Sequence, residues 1–155
     1  MFANINVLTG GSAKDTLTGM NTVSQYTVSA TQLLYREVAS ARVLTVDSFE
    51  NLIGGSANDI FAMTGSAKIT GSIDGGAGTD TLDYSAYSEA VVVDFLTGSA
   101  TGITGGIIRV ENLIGSPIDN VLNGDAGNNI FILNSQGNTS VYGRGGNDTY
   151  LFYAD

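Results

Sequence analysis

Cysteine, histidine and tryptophan are absent from this 155-residue chain, and it contains a single proline. Without cysteine there is no disulfide, no thiolate nucleophile and no zinc–thiolate site. Without histidine there is no imidazole base, which removes Ser-His-Asp, Cys-His and His-ligated metal chemistry. Positive charge is scarce too: six Lys and Arg stand against 15 Asp and Glu, a formal charge of −9. Nucleic-acid binding rests on neutralising phosphates with basic side chains, so nucleic acid is not an expected partner. No apolar run approaches the roughly 20 residues of a membrane-spanning helix, so membrane insertion is not expected. The opening MFANINVLTGGSAKD lacks a basic stretch leading into an apolar one, so no secretory signal peptide is expected.

What is present is glycine, 21 residues of it, in a chain only 14% charged. The glycines recur with a period of nine. The clearest unit is GGAGTDTLD (Gly75–Asp83), and in phase with it stand GGSAKDTLT (Gly10–Thr18), GGSANDIFA (Gly54–Ala62), GSPIDNVLN (Gly115–Asn123), GDAGNNIFI (Gly124–Ile132) and GRGGNDTYL (Gly143–Leu151). The first six positions favour tight turns, because Gly, Asn, Asp and Ser tolerate or cap them. The last three read polar–apolar–polar, a very short strand with one inward side chain. The apolar eighth position holds Leu8, Leu17, Tyr26, Leu52, Phe61, Ile73, Leu82, Leu113, Leu122, Phe131, Val141 and Tyr150. One unit cannot bury its apolar residue alone, so units are expected to stack with equivalent strands side by side in parallel. Two copies of ENLIG, starting at Glu50 and Glu111, suggest a longer repeat as well. Repeat-like sequence reaches both ends, and the chain is read as one domain over 1–155 and as a piece of a longer protein.

The stretch from Met20 to Glu50 has no glycine. Within it, Ser29 followed by Gln32 has the form of a helix-capping box. Alignment on the ENLIG copies instead sets the segment opposite SEAVVVDFLTG, which favours a wider coil made of strand.

GGAGTDTLD fits the nonapeptide G-G-x-G-x-D-x-U-x at every fixed position. The chain therefore resembles the repeats-in-toxin (RTX), haemolysin-type calcium-binding family. That resemblance implies an all-β fold, a right-handed parallel β-roll or β-solenoid of about eight coils. It also implies Ca²⁺ as cofactor, held in the turns by the sixth-position Asp and by backbone carbonyls of loops two units apart. An acidic chain with oxygen-rich turns suits a hard cation on chemical grounds too. Sixth-position Asp occurs here at Asp15, Asp59, Asp80 and Asp148, with Asn129 facing Asp148, and Asp59 with Asp80 forms the best pair. Elsewhere the sixth position holds Asn6, Ser24, Glu50, Gly71, Glu111, Asn120 or Thr139, so a partial set of ions is expected. Ala13 and Ala57 replace the fourth-position Gly, a costly change if that position needs positive φ.

The resemblance implies a non-enzymatic, calcium-stabilised structural module of a large extracellular or cell-surface bacterial protein, an adhesin or a type I-secreted protein. Folding would be coupled to Ca²⁺ outside the cell. Two rivals stand beside it: a surface-layer subunit whose copies stack end to end, and a polysaccharide-binding accessory module. Turn chemistry alone also explains Asp and Asn in these places, and stacked Asn side chains can form a ladder without metal. The carboxylate pairs Asp80 with Asp83 and Asp119 with Asp125 are explained by the repeat better than by glycoside hydrolysis. Tyr84, Tyr87, Tyr142, Tyr150 and Tyr153 are read as packing groups before a sugar-stacking surface. No Thr-x-Thr ladder continues far enough for ice binding, and Arg36 and Arg42 read as solvated charges.

Overall fold

The computed structural model describes residues 5–40, 42–134 and 136–153, and among them every regular element is a β-strand. The chain opens with β1 (Val7–Thr9) and β2 (Thr16–Thr18), then three longer strands, β3 (Ser24–Val28), β4 (Leu33–Glu37) and β5 (Arg42–Asp47). Next come β6 (Asn51–Ile53), β7 (Ile60–Gly65), β8 (Ile73–Asp74), β9 (Thr81–Tyr87) and β10 (Val91–Asp94). They are followed by β11 (Ser99–Ala100), β12 (Ile107–Ile108) and β13 (Asn112–Ile114). The last are β14 (Asn120–Asn123), β15 (Ile130–Leu133), β16 (Thr139–Tyr142) and β17 (Thr149–Phe152).

Three sheets result. One has nine strands in the order β1-β5-β4-β3-β7-β9-β13-β15-β17; the other two have four each, β12-β8-β6-β2 and β11-β10-β14-β16. From β5 to β9 and from β12 to β17 the chain leaves the large sheet for a small one and returns at the next strand. Such shuttling makes sequence neighbours lie in different sheets and makes sheet neighbours parallel. The pairings are parallel except for β3 with β4, β4 with β5, and β10 with β11.

The register follows the nine-residue phase. In the large sheet Tyr26, Phe61, Leu82, Leu113, Phe131 and Tyr150 stand side by side as one ladder. Leu17, Leu52, Ile73 and Ile107 form a second ladder, and Val93, Leu122 and Val141 a third. Side chains from all three sheets enter one buried cluster. Aromatic rungs stack where they meet: Tyr26 on Phe61 at 4.6 Å between ring centres, and Phe131 on Tyr150 at 5.5 Å.

Between Met20 and Glu50 the described residues carry the strands β3, β4 and β5, as the ENLIG alignment favours, but these strands run antiparallel. Ser29 caps a hairpin turn rather than a helix: its N–H donates to the Gln32 carbonyl, and its hydroxyl oxygen accepts the Gln32 N–H. The capping-box signal is the same side-chain-to-amide bond in a different backbone. The two ENLIG copies lie in different sheets, β6 in a small one and β13 in the large one. The inserted YSAY lengthens β9, and a register shift in β7 absorbs it. Tyr84 and Tyr87 are buried there, edge to face, with their hydroxyls donating to the carbonyls of Thr101 and Ala67. They are core residues, which removes them from any sugar-stacking surface.

Candidate functional site

The turns that precede the strands of the large sheet stack as the strands do, and their sixth positions form a column. The Ser24 N–H donates to Asp59 Oδ1 at 2.7 Å, and the Asp59 N–H donates to Asp80 Oδ1 at 2.7 Å. The Asp80 N–H in turn donates to Glu111 Oε2 at 2.8 Å, and further along the Asn129 N–H donates to Asp148 Oδ1 at 3.0 Å. At another edge the Asp15 N–H donates to Glu50 Oε2 at 2.9 Å. The structure therefore brings Asp59 and Asp80 together, sets Asp148 against Asn129, and leaves Asp15 on a separate edge beside Glu50.

Several sixth-position side chains also fold back on their own turn. Asp59 Oδ2 accepts the Gly55 N–H at 2.6 Å, Asp15 Oδ2 accepts that of Gly11, and Asn129 Oδ1 accepts that of Asp125 at 3.1 Å. The Asp-Gly spacing has this local cause: a carboxylate four residues on reaches the orphan amide of the second turn residue. A second column lies outside the first. Asn58 Oδ1 accepts the Thr79 N–H, Asn128 Oδ1 that of Asn147, and Asp119 Oδ1 that of Asn138.

The first position must be Gly because oxygens converge on it. A Cβ at Gly54 would meet the Gly75 carbonyl and Asp59 Oδ2; one at Gly75 would meet the Arg109 carbonyl and Asp80 Oδ2. The fourth position is less demanding. Gly78 and Gly146 have positive φ, but Ala13 and Ala57 do not, so Ala carries no left-handed strain there.

Electrostatically the inner column is a line of carboxylates with little water. Asp59 and Asp80 are buried. Burial pushes Asp80 up to about 6, against a lowering bond from the Asp59 amide, and the charges of Asp59, Glu111 and Asp74 push it further. Burial raises Asp59 as well, opposed by the amides of Gly55 and Ser24. The nearby cation is spent elsewhere: Arg109 pairs with Asp74. Arg144 grips Asp94 with two hydrogen bonds of 2.8 and 2.6 Å and also donates to the Gly124 carbonyl at 2.6 Å. That bidentate contact holds Asp94 down at about 2.

Among the described residues no three Asp or Glu side chains converge as a ready-made metal cluster. The oxygens that do converge are mixed, one carboxylate oxygen and one main-chain carbonyl at each of Gly10, Gly54 and Gly75. An all-oxygen set beside uncompensated negative charge suits a hard cation such as Ca²⁺. Glu50 and Glu111 were legible only as departures from Asp; in the fold each accepts a sixth-position amide with its longer arm, Glu111 in the column from Asp80 and Glu50 on the separate edge from Asp15. Comparison with protein-family models and with curated proteins finds no match for the chain.

Proposed function

We propose that the chain is a calcium-stabilised, non-enzymatic structural module, a right-handed β-roll of stacked coils belonging to a large secreted bacterial protein. The observation that carries the reading is the column of buried Asp59 and Asp80 beside half-buried Glu111, with Asp80 raised to about 6 by desolvation and by its acidic neighbours. A column of this kind costs stability at neutral pH unless positive charge reaches it. Asp59 and Asp80 would hold the ion together with carbonyls of the first-position turns, and bound Ca²⁺ supplies that positive charge. The chain's own residues do the rest. The sixth-position oxygens accept amides from the neighbouring turn, the fifth-position amides lock the outer edge, and the eighth-position ladder fills the core.

Gly-rich turns gain much conformational freedom when released, so the unbound chain is poorly held. Binding energy then becomes folding energy, and the switch sits at the calcium concentrations met outside cells, on the order of 0.1–1 mM. The test is far-UV circular dichroism of the whole chain in EDTA and through a calcium titration, with a melt at each end. Calcium is expected to raise β-signal and melting temperature. Asp80→Asn keeps an oxygen for the Asp59 amide but removes the charge, and it is expected to lose most of that response. A wild-type spectrum and melt indifferent to calcium would overturn the reading.

A further inference from the structure

The two ENLIG units are entered by the same turn. Ser48 and Arg109 occupy equivalent places in it, both in the left-handed region with φ of 57° and 52°. In each copy the amides of the Glu and Asn that follow donate to the carbonyl of a sixth-position Asp, Asp15 in one and Asp80 in the other. Around Arg109 the corner is closed. Only about 50 Å³ stays open beside Phe95 and Val110, and Arg109 itself pairs with Asp74. Around Ser48 the same turn borders a cleft of about 250 Å³. The turn does not require that opening; the β3–β4 hairpin and residues 68–70 make its other walls.

The cleft has an apolar floor and a charged rim. Leu33, Val46, Phe49 and Ile69 line it, with Val46 and Ile69 buried and the other two half-buried. Asp47 and Lys68 stand exposed on its rim. Among the described residues neither charged side chain has a hydrogen-bond or ion-pair partner, and the two do not pair with each other. The side chains of Thr31, Gln32 and Thr70 add donors and acceptors that are likewise unengaged. Glu50 is the remaining charge at the cleft, and it is committed: its Oε2 accepts the Asp15 N–H at 2.9 Å. Arg109 and Arg144, by contrast, each hold an Asp.

We infer that this corner binds a small zwitterion, a free α-amino acid with a branched apolar side chain. A lone anion would answer Lys68 but face Asp47 and Glu50. A lone cation would answer the carboxylates but face Lys68. A molecule with both charges satisfies the rim at once, Lys68 donating to its carboxylate and Asp47 accepting from its ammonium. Its side chain then covers the floor and takes that apolar surface out of water. The volume lies below the roughly 300–1,000 Å³ of sites for drug-sized ligands, which suits an amino acid rather than an oligosaccharide. Neither Asp59 nor Asp80 takes part, so the site does not rest on the calcium reading.

NMR of the isotope-labelled whole chain, kept in calcium and titrated with L-leucine, tests it. The amides of Gln32, Ser48 and Lys68 are expected to shift saturably at millimolar ligand. Leucinamide keeps the ammonium and lacks the carboxylate, and isocaproate is the reverse. Each is expected to bind roughly threefold to tenfold more weakly than leucine. Lys68→Gln is expected to erase the preference over leucinamide, and Asp47→Asn the preference over isocaproate. Both positions are exposed, and circular dichroism checks that each variant keeps the wild-type fold. A folded chain without saturable shifts overturns the proposal. So does equal binding of the three probes, a preference that survives both substitutions, or glucose shifting the same amides at lower concentration. Leucine binding by a chain indifferent to calcium would refute the calcium reading and leave this one standing.

Discussion

Asp80 is walled off from water, donates its amide to Glu111 and takes the amide of Asp59, and no basic side chain reaches it. Its carboxyl is held at about 6, so the folded chain binds that proton more tightly than the unfolded one does. The stability linked to it is fully present below the ordinary carboxylate range and is lost as pH rises through 6. In EDTA the β-signal and melting temperature are therefore expected to increase as pH falls from 7.5 to about 5. Asp80→Asn is expected to flatten much of that slope, and denaturation measured across the range checks it. Asp94 works in the opposite sense: its contribution is lost only as pH falls through about 2, outside this window. Arg144, which holds it, sits at the second turn position with φ of 69°, where glycine is the easier residue. The left-handed backbone costs about 1–2 kcal/mol, offset by two bonds to Asp94 and one to the Gly124 carbonyl.

Among the elements, the ladder in the large sheet grades from enclosed to open. Phe61 is fully buried between Tyr26 and Leu82, whereas Tyr150 ends the ladder 41% exposed. Phe61→Ala is expected to cost about 3–5 kcal/mol in chemical denaturation, for lost burial and the cavity left behind. Tyr150→Ala is expected to cost about 1 kcal/mol, since much of its ring already faces solvent. Equal losses at the two positions would contradict the ladder. The eighth positions were legible because a strand of three residues buries one side chain, and the period places that residue every ninth position. The antiparallel path of β3, β4 and β5 was not legible. A strand's apolar pattern carries no sign of its direction, and only the hairpin at Ser29–Gln32 turns the chain back on itself.

Over the whole molecule, strands such as β7 and β9, β13 and β15, and β15 and β17 lie one shuttle apart in the large sheet, and turns stack on the turns above and below. Such a stack behaves as a row of neighbouring units, so loss of an end unit should leave the others standing. Removing residues 143–155 takes away β17 and the turn with Arg144 and Asp148. The shortened chain is expected to keep its β-spectrum in calcium and to melt a few degrees lower. Complete unfolding on that truncation would show a single indivisible core instead. Circular dichroism with limited proteolysis separates the two outcomes.

The nine-residue period by itself determined that the chain is β-structure, that the eighth positions form the inward ladders, and that Asp59 meets Asp80 and Asp148 meets Asn129. Phase is local: a turn of six and a strand of three repeat the same geometry wherever they occur. Which sheet a strand joins depends on how many residues intervene between turns, and that is why the two ENLIG copies, identical in sequence, lie in different sheets. Only the tertiary structure decided that Glu111 serves in the carboxylate column and Glu50 beside Asp15 on another edge, because a longer side chain reaches a sixth-position amide when the backbone approaches differently. It alone decided that Tyr84 and Tyr87 are core and Tyr142 is surface. Burial is a property of what stacks against a residue, and at the last rung nothing within the described chain does.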